Sequence, residues 1–180
     1  MAEHLHVITG GPGSGKTSLI QALSSQGFRH MPEAGRAIIR DQAEIGGGAL
    51  PWADREAFAA LMLNWEMRSY NEALGSRDPV IFDRGIPDVI GYLQLSGLPV
   101  PEPFWCAVKQ RRYATKVFIT PPWPEIFEQD EERKQTLDEA VATYHTMIDV
   151  YSGLGYNLVE IPRVPVVERT HFIIDRICEQ

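Results

Sequence analysis

Cysteine is nearly missing from this sequence: 180 residues include only Cys106 and Cys178, far apart and outside any ligand-spaced cluster. That excludes a thiolate zinc site and argues against a disulfide framework, so both are expected to be free thiols in a reducing compartment. No apolar run approaches the ~20 residues needed to cross a bilayer. The first residues hold no apolar stretch followed by a cleavage signal, and a cytoplasmic protein is expected. Positive charge is not in excess either: 24 acidic residues outnumber 17 basic ones, for a net charge of −7. Binding to a nucleic-acid backbone needs a concentrated basic face, and Arg111-Arg112 is too short to supply one, so no nucleic-acid partner is expected. Repeats, low-complexity segments and long linkers are also missing. With 44% apolar residues, the chain is expected to form one globular domain over residues 1–180, burying about 70% of its unfolded surface.

What is present begins at Leu5-His6-Val7-Ile8-Thr9, a short apolar strand, followed by Gly10-Gly11-Pro12-Gly13-Ser14-Gly15-Lys16-Thr17. The second stretch matches G-x-x-x-x-G-K-[ST] in full, in the required position between a strand and a helix. Gly10, Gly11, Gly13 and Gly15 let the backbone wrap a phosphate, and their N–H groups join those of the helix terminus in facing the anion. Pro12 gives up one donor and stiffens the turn. Ser14 and Ser18 complete the loop and the first helical turn. Lys16 is placed to reach the β- and γ-phosphates, and the Thr17 hydroxyl to ligate magnesium. ATP with Mg2+ is the expected cofactor pair, with GTP left open.

Downstream, the pattern alternates between apolar strands and amphipathic helices. Helices are expected at Lys16 to Ser25, Ala34 to Ala43, Asp54 to Leu74, Ile86 to about Leu95, Phe104 to Tyr113, Leu137 to Tyr151 and Val166 to Ile177. Strands are expected at Phe28 to Met31, Val80 to Phe82, Lys116 to Thr120 and Asn157 to Ile161. This alternation is the signature of a mostly parallel sheet covered on both faces. Ligands on such sheets bind beyond the carboxyl ends of the strands, where Gly10 to Thr17, Glu33, Asp83 and Thr120 to Trp123 all fall. Phe58, Leu61, Met62 and Trp65 form a stripe that reads as core or as a pocket wall. Arg68 and Tyr70, near the end of that helix, could reach a substrate, although nothing in the pattern requires it. The five histidines show no ligand spacing, and none is assigned a role.

Three further positions can carry chemistry. Asp83, just past a buried strand, can hold magnesium or its water shell beside Thr17, or instead cap the helix that starts near Ile86. Arg84 can grip an acceptor or a transferred phosphoryl group, or form a surface ion pair. Glu33 can take a hydrogen bond or a proton from an acceptor hydroxyl, or serve as an ordinary helix-N-terminal acid. The charged segment from Trp123 to Lys134 is a candidate lid, with Arg133 and Lys134 as the groups that move inward.

The ordered set of Gly10 to Thr17, Pro32-Glu33-Ala34-Gly35-Arg36, Phe82-Asp83-Arg84-Gly85, Pro121-Pro122-Trp123, Asp130-Glu131-Glu132-Arg133-Lys134 and Tyr156 to Pro162 resembles a known family. It is that of the small AAA-labelled P-loop domains that include the ribosylnicotinamide kinase domain of NadR. The resemblance spans nearly the whole chain. It implies an α/β fold, a three-layer α/β/α P-loop NTPase like the nucleoside and nucleotide kinases, with a five-stranded parallel sheet in the order 2-3-1-4-5. It also implies a lid at about 123–135. Lys16 and Thr17 then match the triphosphate and magnesium residues, Asp83-Arg84 the Asp-Arg motif, Glu33 the acidic residue near the acceptor and Arg133 a lid arginine. Arg163 and Pro165 fall where kinases of this shape pack the adenine. Unlike NadR itself, this sequence is expected to hold no fused adenylyltransferase or DNA-binding domain.

Two functions follow as expectations. One is Mg-dependent transfer of the ATP γ-phosphoryl to a hydroxyl of a small, nucleoside-like acceptor, by a monomer or homodimer. The alternative is a nucleotide-dependent switch with slow hydrolysis, read by a protein or lipid partner.

Overall fold

A computed structural model describes residues 2–127 and 136–178. The described residues form five strands, β1 (Leu5–Gly10), β2 (Arg29–Met31), β3 (Val80–Asp83), β4 (Lys116–Thr120) and β5 (Asn157–Glu160). Between and after them come α1 (Lys16–Ser25), α2 (Ala34–Ile45), α3 (Arg55–Ala73), α4 (Ile86–Leu95), α5 (Glu102–Gln110), α6 (Leu137–Gly153) and α7 (Val166–Cys178). The strands make one parallel sheet in the order β2-β3-β1-β4-β5. This is the three-layer α/β/α architecture and strand order that the family resemblance implied.

The strands read as continuous apolar runs because each face of the sheet carries a helical layer. Successive residues point to opposite faces. Val7, Phe82, Val117 and Ile119 pack under α3, α4 and α6 in one cluster. Ile8, Ile81, Phe118 and Ile161 pack under α1 and α7 in the other. The register sets Ile8 beside Asp83 and Gly10 beside Thr120, so the carboxyl ends of the central strands open on one common edge.

Several helix ends differ from expectation, with α2 running on to Ile45, α5 ending at Gln110 and α6 running on to Gly153, and so does one buried face. α5 starts at Glu102 rather than Phe104, because Pro103 fits the first helical turn, where its missing N–H costs nothing. The buried side of α3 runs through Phe58, Ala59, Met62, Leu63, Glu66, Ser69, Tyr70 and Ala73, whereas Leu61 is exposed and Trp65 only partly covered. Small and polar residues share that side, so counting large apolar side chains alone displaces it.

Candidate nucleotide and acceptor site

The loop between β1 and α1 is shaped by close approaches. Gly13 and Gly15 have φ of 67° and 74°, in the left-handed region that favours glycine. A Cβ at Gly13 would lie 2.4 Å from the Phe127 ring, and one at Gly10 2.2 Å from Thr120 Oγ1. Thr120 Oγ1 donates to the Thr9 carbonyl (3.1 Å) and lies 2.7 Å from Ser14 Oγ, which itself donates to the Gly11 carbonyl (2.8 Å). The ends of β1 and β4 thus hold the loop open around a cavity of about 540 Å3 lined by residues 11–18, Glu33, Arg36, Arg84, Ile126, Val166 and Arg169.

Lys16 reaches out of this loop and pairs with the Asp83 carboxylate. Asp83 therefore does not cap α4. That task falls to Asp88, whose Oδ2 accepts from the Gly85 N–H at 2.9 Å. Asp88 is 6% exposed and also takes Thr9 Oγ1 at 2.5 Å, Tyr151 OH at 2.6 Å and Arg84 Nη1 at 3.3 Å. One carboxylate so ties β1, α4 and α6 to Arg84. Burial, followed by the adjacent Asp88 charge, pushes the Tyr151 hydroxyl well above its ordinary range, keeping it a donor.

Arg84 is not a surface ion pair. Its φ is 73°, unusual for a residue with a side chain, and its guanidinium spans Glu33 (Nε to Oε1, 3.3 Å) and Asp88. Burial opposes its charge, but Glu33, Asp88 and Asp83 outweigh that and hold it protonated. Glu33, also buried, receives Arg36 Nε at 3.3 Å.

A second cavity, of about 570 Å3, adjoins the first and shares Pro12, Glu33 and Arg84 with it. Its walls include Phe58, Met62, Val89, Tyr92 and Met147, with Glu66 and Asp88 among the polar lining groups. Phe58 and Met62 are thus core and pocket wall at once. Glu66 is 4% exposed. Burial first, then the charges of Asp88, Asp83 and Glu33, push its carboxyl well above the usual range, against a smaller pull from Arg84. Tyr70 stands apart from both cavities, donating to the Arg112 carbonyl at 3.1 Å, and Arg68 is exposed.

Of the residues singled out in the sequence, Gly11, Pro12, Gly13, Ser14, Gly15, Lys16, Thr17, Ser18, Glu33 and Arg84 line the first cavity, and Asp83 joins it through Lys16. Arg163 and Pro165 do not line it; Arg163 donates instead to the Pro122 carbonyl at 2.9 Å, and Val166 and Arg169, further along α7, border the loop. Arg133, Lys134 and most of the expected lid lie outside the described residues. The sequence reading missed Glu66, Asp88 and Arg169. An acid at i+4 from Met62 on the α3 stripe, and an acid in the first turn of α4, were the available signals for the first two. Nothing local marks Arg169.

Glycine-shaped turn, helix terminus, basic Lys16 and exposed Thr17 hydroxyl fit a nucleoside triphosphate. Magnesium in such sites takes one or two protein ligands and completes its shell with phosphate oxygens and water. Thr17 and the Asp83 carboxylate suit that role, although the described residues contain no cluster of three metal-ligating side chains.

Fold and loop together define a P-loop nucleoside-triphosphatase domain. A family model described as an AAA domain matches residues 5–169, and the chain belongs to that family. Among solved structures, it is similar to NadR protein in complex with NR, at 18% identity and a TM-score of 0.75, covering 97% of this chain and 50% of that one. It is also similar to NadR in complex with NAD and AMP-PNP, at 17% identity and a TM-score of 0.69, covering 97% of this chain and 48% of that one. The deoxyadenosine kinase of M. mycoides with products dCMP and dCDP bound aligns at 12% identity and a TM-score of 0.68, covering 98% of this chain and all of that one. This chain thus spans about half the length of the NadR chains. No curated protein matches the sequence. No helix among the described residues is long and apolar enough to cross a membrane.

Proposed function

We propose that this protein is a Mg-ATP-dependent phosphotransferase acting on a hydroxyl of a small, ring-bearing, nucleoside-like acceptor. The observation that carries this reading is the pair of adjoining cavities: a glycine-lined phosphate site, and an apolar pocket that meets it at Glu33 and Arg84. A nucleotide switch needs only the first. The structural neighbours, a deoxyadenosine kinase among them, support an acceptor of nucleoside type.

Bound Mg-ATP would supply the transferable phosphoryl group; every other task falls to this chain. The loop N–H groups and Lys16 hold the phosphates, and Thr17 with Asp83 faces the metal. Phe58, Met62, Val89, Tyr92 and Met147 enclose the acceptor ring and exclude water around it. Glu33 accepts the hydrogen bond of the acceptor hydroxyl and would take its proton as the acceptor oxygen replaces the departing ADP oxygen on the γ-phosphorus. Arg84 places fixed positive charge at the cavity boundary, where charge spreads over the transferring group. Arg133 is assigned the lid cation of this mechanism.

The test is phosphoryl transfer from Mg-ATP across nucleosides, sugars and other hydroxyl compounds, with acceptor-free ADP release recorded alongside and Lys16→Ala as the blank. Phosphorylated product from one acceptor class, lost in the blank, is the expected result. Slow hydrolysis that no acceptor stimulates would replace this reading with the switch.

A further inference from the structure

Arg169 sits in the first turn of α7, where the free N–H groups of a helix carry partial positive charge and a cation is disfavoured. It is nevertheless 6% exposed and borders the phosphate cavity beside Gly15, Lys16 and Val166. The other three cations lining that cavity each reach a carboxylate: Lys16 meets Asp83, Arg36 meets Glu33, and Arg84 meets Glu33 and Asp88. Arg169 meets none among the described residues. Its Nη1 makes two long contacts, to the carbonyls of Ser14 (3.5 Å) and Gly15 (3.4 Å), and its buried Nε has no hydrogen-bond partner. The guanidinium carbon lies 5.3 Å from the centre of the Trp123 ring, which supplies weak compensation at most. Burial alone acts on its proton affinity, drawing it down.

A buried guanidinium without a counter-ion is costly, and this one is pressed against the loop whose N–H groups cradle the α- and β-phosphates. We propose that Arg169 is a nucleotide-binding residue that meets the α- or β-phosphate of a nucleoside di- or triphosphate held by the Gly10 to Ser18 loop. The assignment rests on the nucleotide reading above and adds to it a cation supplied from the far end of the chain. Because the contact is made at the α/β side, it serves ADP as well as ATP. An anionic ligand would complete a charge that no carboxylate among the described residues meets.

Equilibrium binding of Mg-ATP and Mg-ADP to the wild type, Arg169→Met, Arg169→Lys and Lys16→Ala, with thermal melts of each protein without nucleotide, tests this. Arg169→Met is expected to melt at or above the wild-type temperature, since it removes an uncompensated buried charge. It is also expected to bind ATP and ADP alike about 10–100-fold more weakly, the range for a lost hydrogen bond to a charged group. Arg169→Lys should recover part of that affinity. Wild-type affinity in Arg169→Met overturns the inference and leaves the nucleotide reading standing. A lowered melting temperature with binding lost only through unfolding makes Arg169 a support of the loop, and also overturns it. A wild type that binds neither nucleotide overturns the nucleotide reading and this inference together.

Discussion

The Lys16 ammonium and the Asp83 carboxylate form an ion pair that joins the start of α1 to the end of β3, with side chains 7% and 13% exposed. The pair fixes the Lys16 side chain at the cavity it lines. Asp83→Ala leaves the Lys16 charge buried alone. It should destabilise the protein by about 3 kcal/mol in urea unfolding. The Lys16→Ala/Asp83→Ala double variant should lose less than the sum of the two single changes. Strict additivity would show that the pair contributes nothing jointly. In the transfer assay, each single variant should lose on the order of 100-fold or more in kcat.

Asp88 accepts hydrogen bonds from four different groups, so its charge organises more of the site than any other carboxylate described. Asp88→Asn keeps the shape, turns one acceptor into a donor and deprives Arg84 of a counter-charge. A loss of about 3 kcal/mol is expected, read by urea denaturation, together with a fall in kcat as Arg84 loses its fixed position. A variant as stable as the wild type would remove Asp88 from this role.

Val89 lines the second cavity and not the first. Val89→Phe fills the proposed acceptor pocket and should raise the acceptor KM on the order of tenfold or more, with the KM for ATP within about twofold of wild type. Overpacking costs roughly 1–3 kcal/mol, so a thermal melt accompanies the kinetics. Equal effects on both KM values would place the acceptor elsewhere.

Glu66 gives stability a pH dependence of definite sign. Its folded-state pKa lies well above the ordinary value of 4.5 because of burial and the facing carboxylates of Asp88, Asp83 and Glu33, with Arg84 pulling the other way. Above that ordinary value the unfolded chain releases the proton while the folded one keeps it. Stability from this group is therefore full below pH 4.5 and is lost as pH rises towards the folded-state value. Glu66→Gln removes the dependence, so its stability relative to wild type should climb by up to about 1.4 kcal/mol per pH unit across that window. Urea titrations at several pH values check it; a constant difference would show that Glu66 is ionised in the folded state.

Much of this molecule was readable in one dimension because the relevant physics is local. Alternation of buried strands with amphipathic helices, and the glycine turn before Lys16, depend on neighbours within a few residues, and the strands expected from sequence reappear within a residue at each end. The parallel-sheet pattern set Glu33 and Asp83 at the carboxyl edge of the sheet, and the resemblance carried by the ordered motifs added the strand order. Which role each side chain takes was a different matter. From the sequence, a helix cap stayed open for Asp83 and a surface ion pair for Arg84; the tertiary structure paired the first with Lys16 and set the second between Glu33 and Asp88.

Residues whose partners are remote in sequence left no such trace. Asp88 is joined to Thr9 across 79 positions and Arg169 to Ser14 across 155. Glu66 lies on a helical face that sequence alone displaced towards Leu61 and Trp65. Sequence by itself determined where the chain is helical, where it is extended and where a phosphate can be wrapped, since each follows from backbone freedom and apolar period. Only the tertiary structure decided which charges are buried together and which stand alone, because desolvation and Coulomb energy depend on distances in space that no local pattern records.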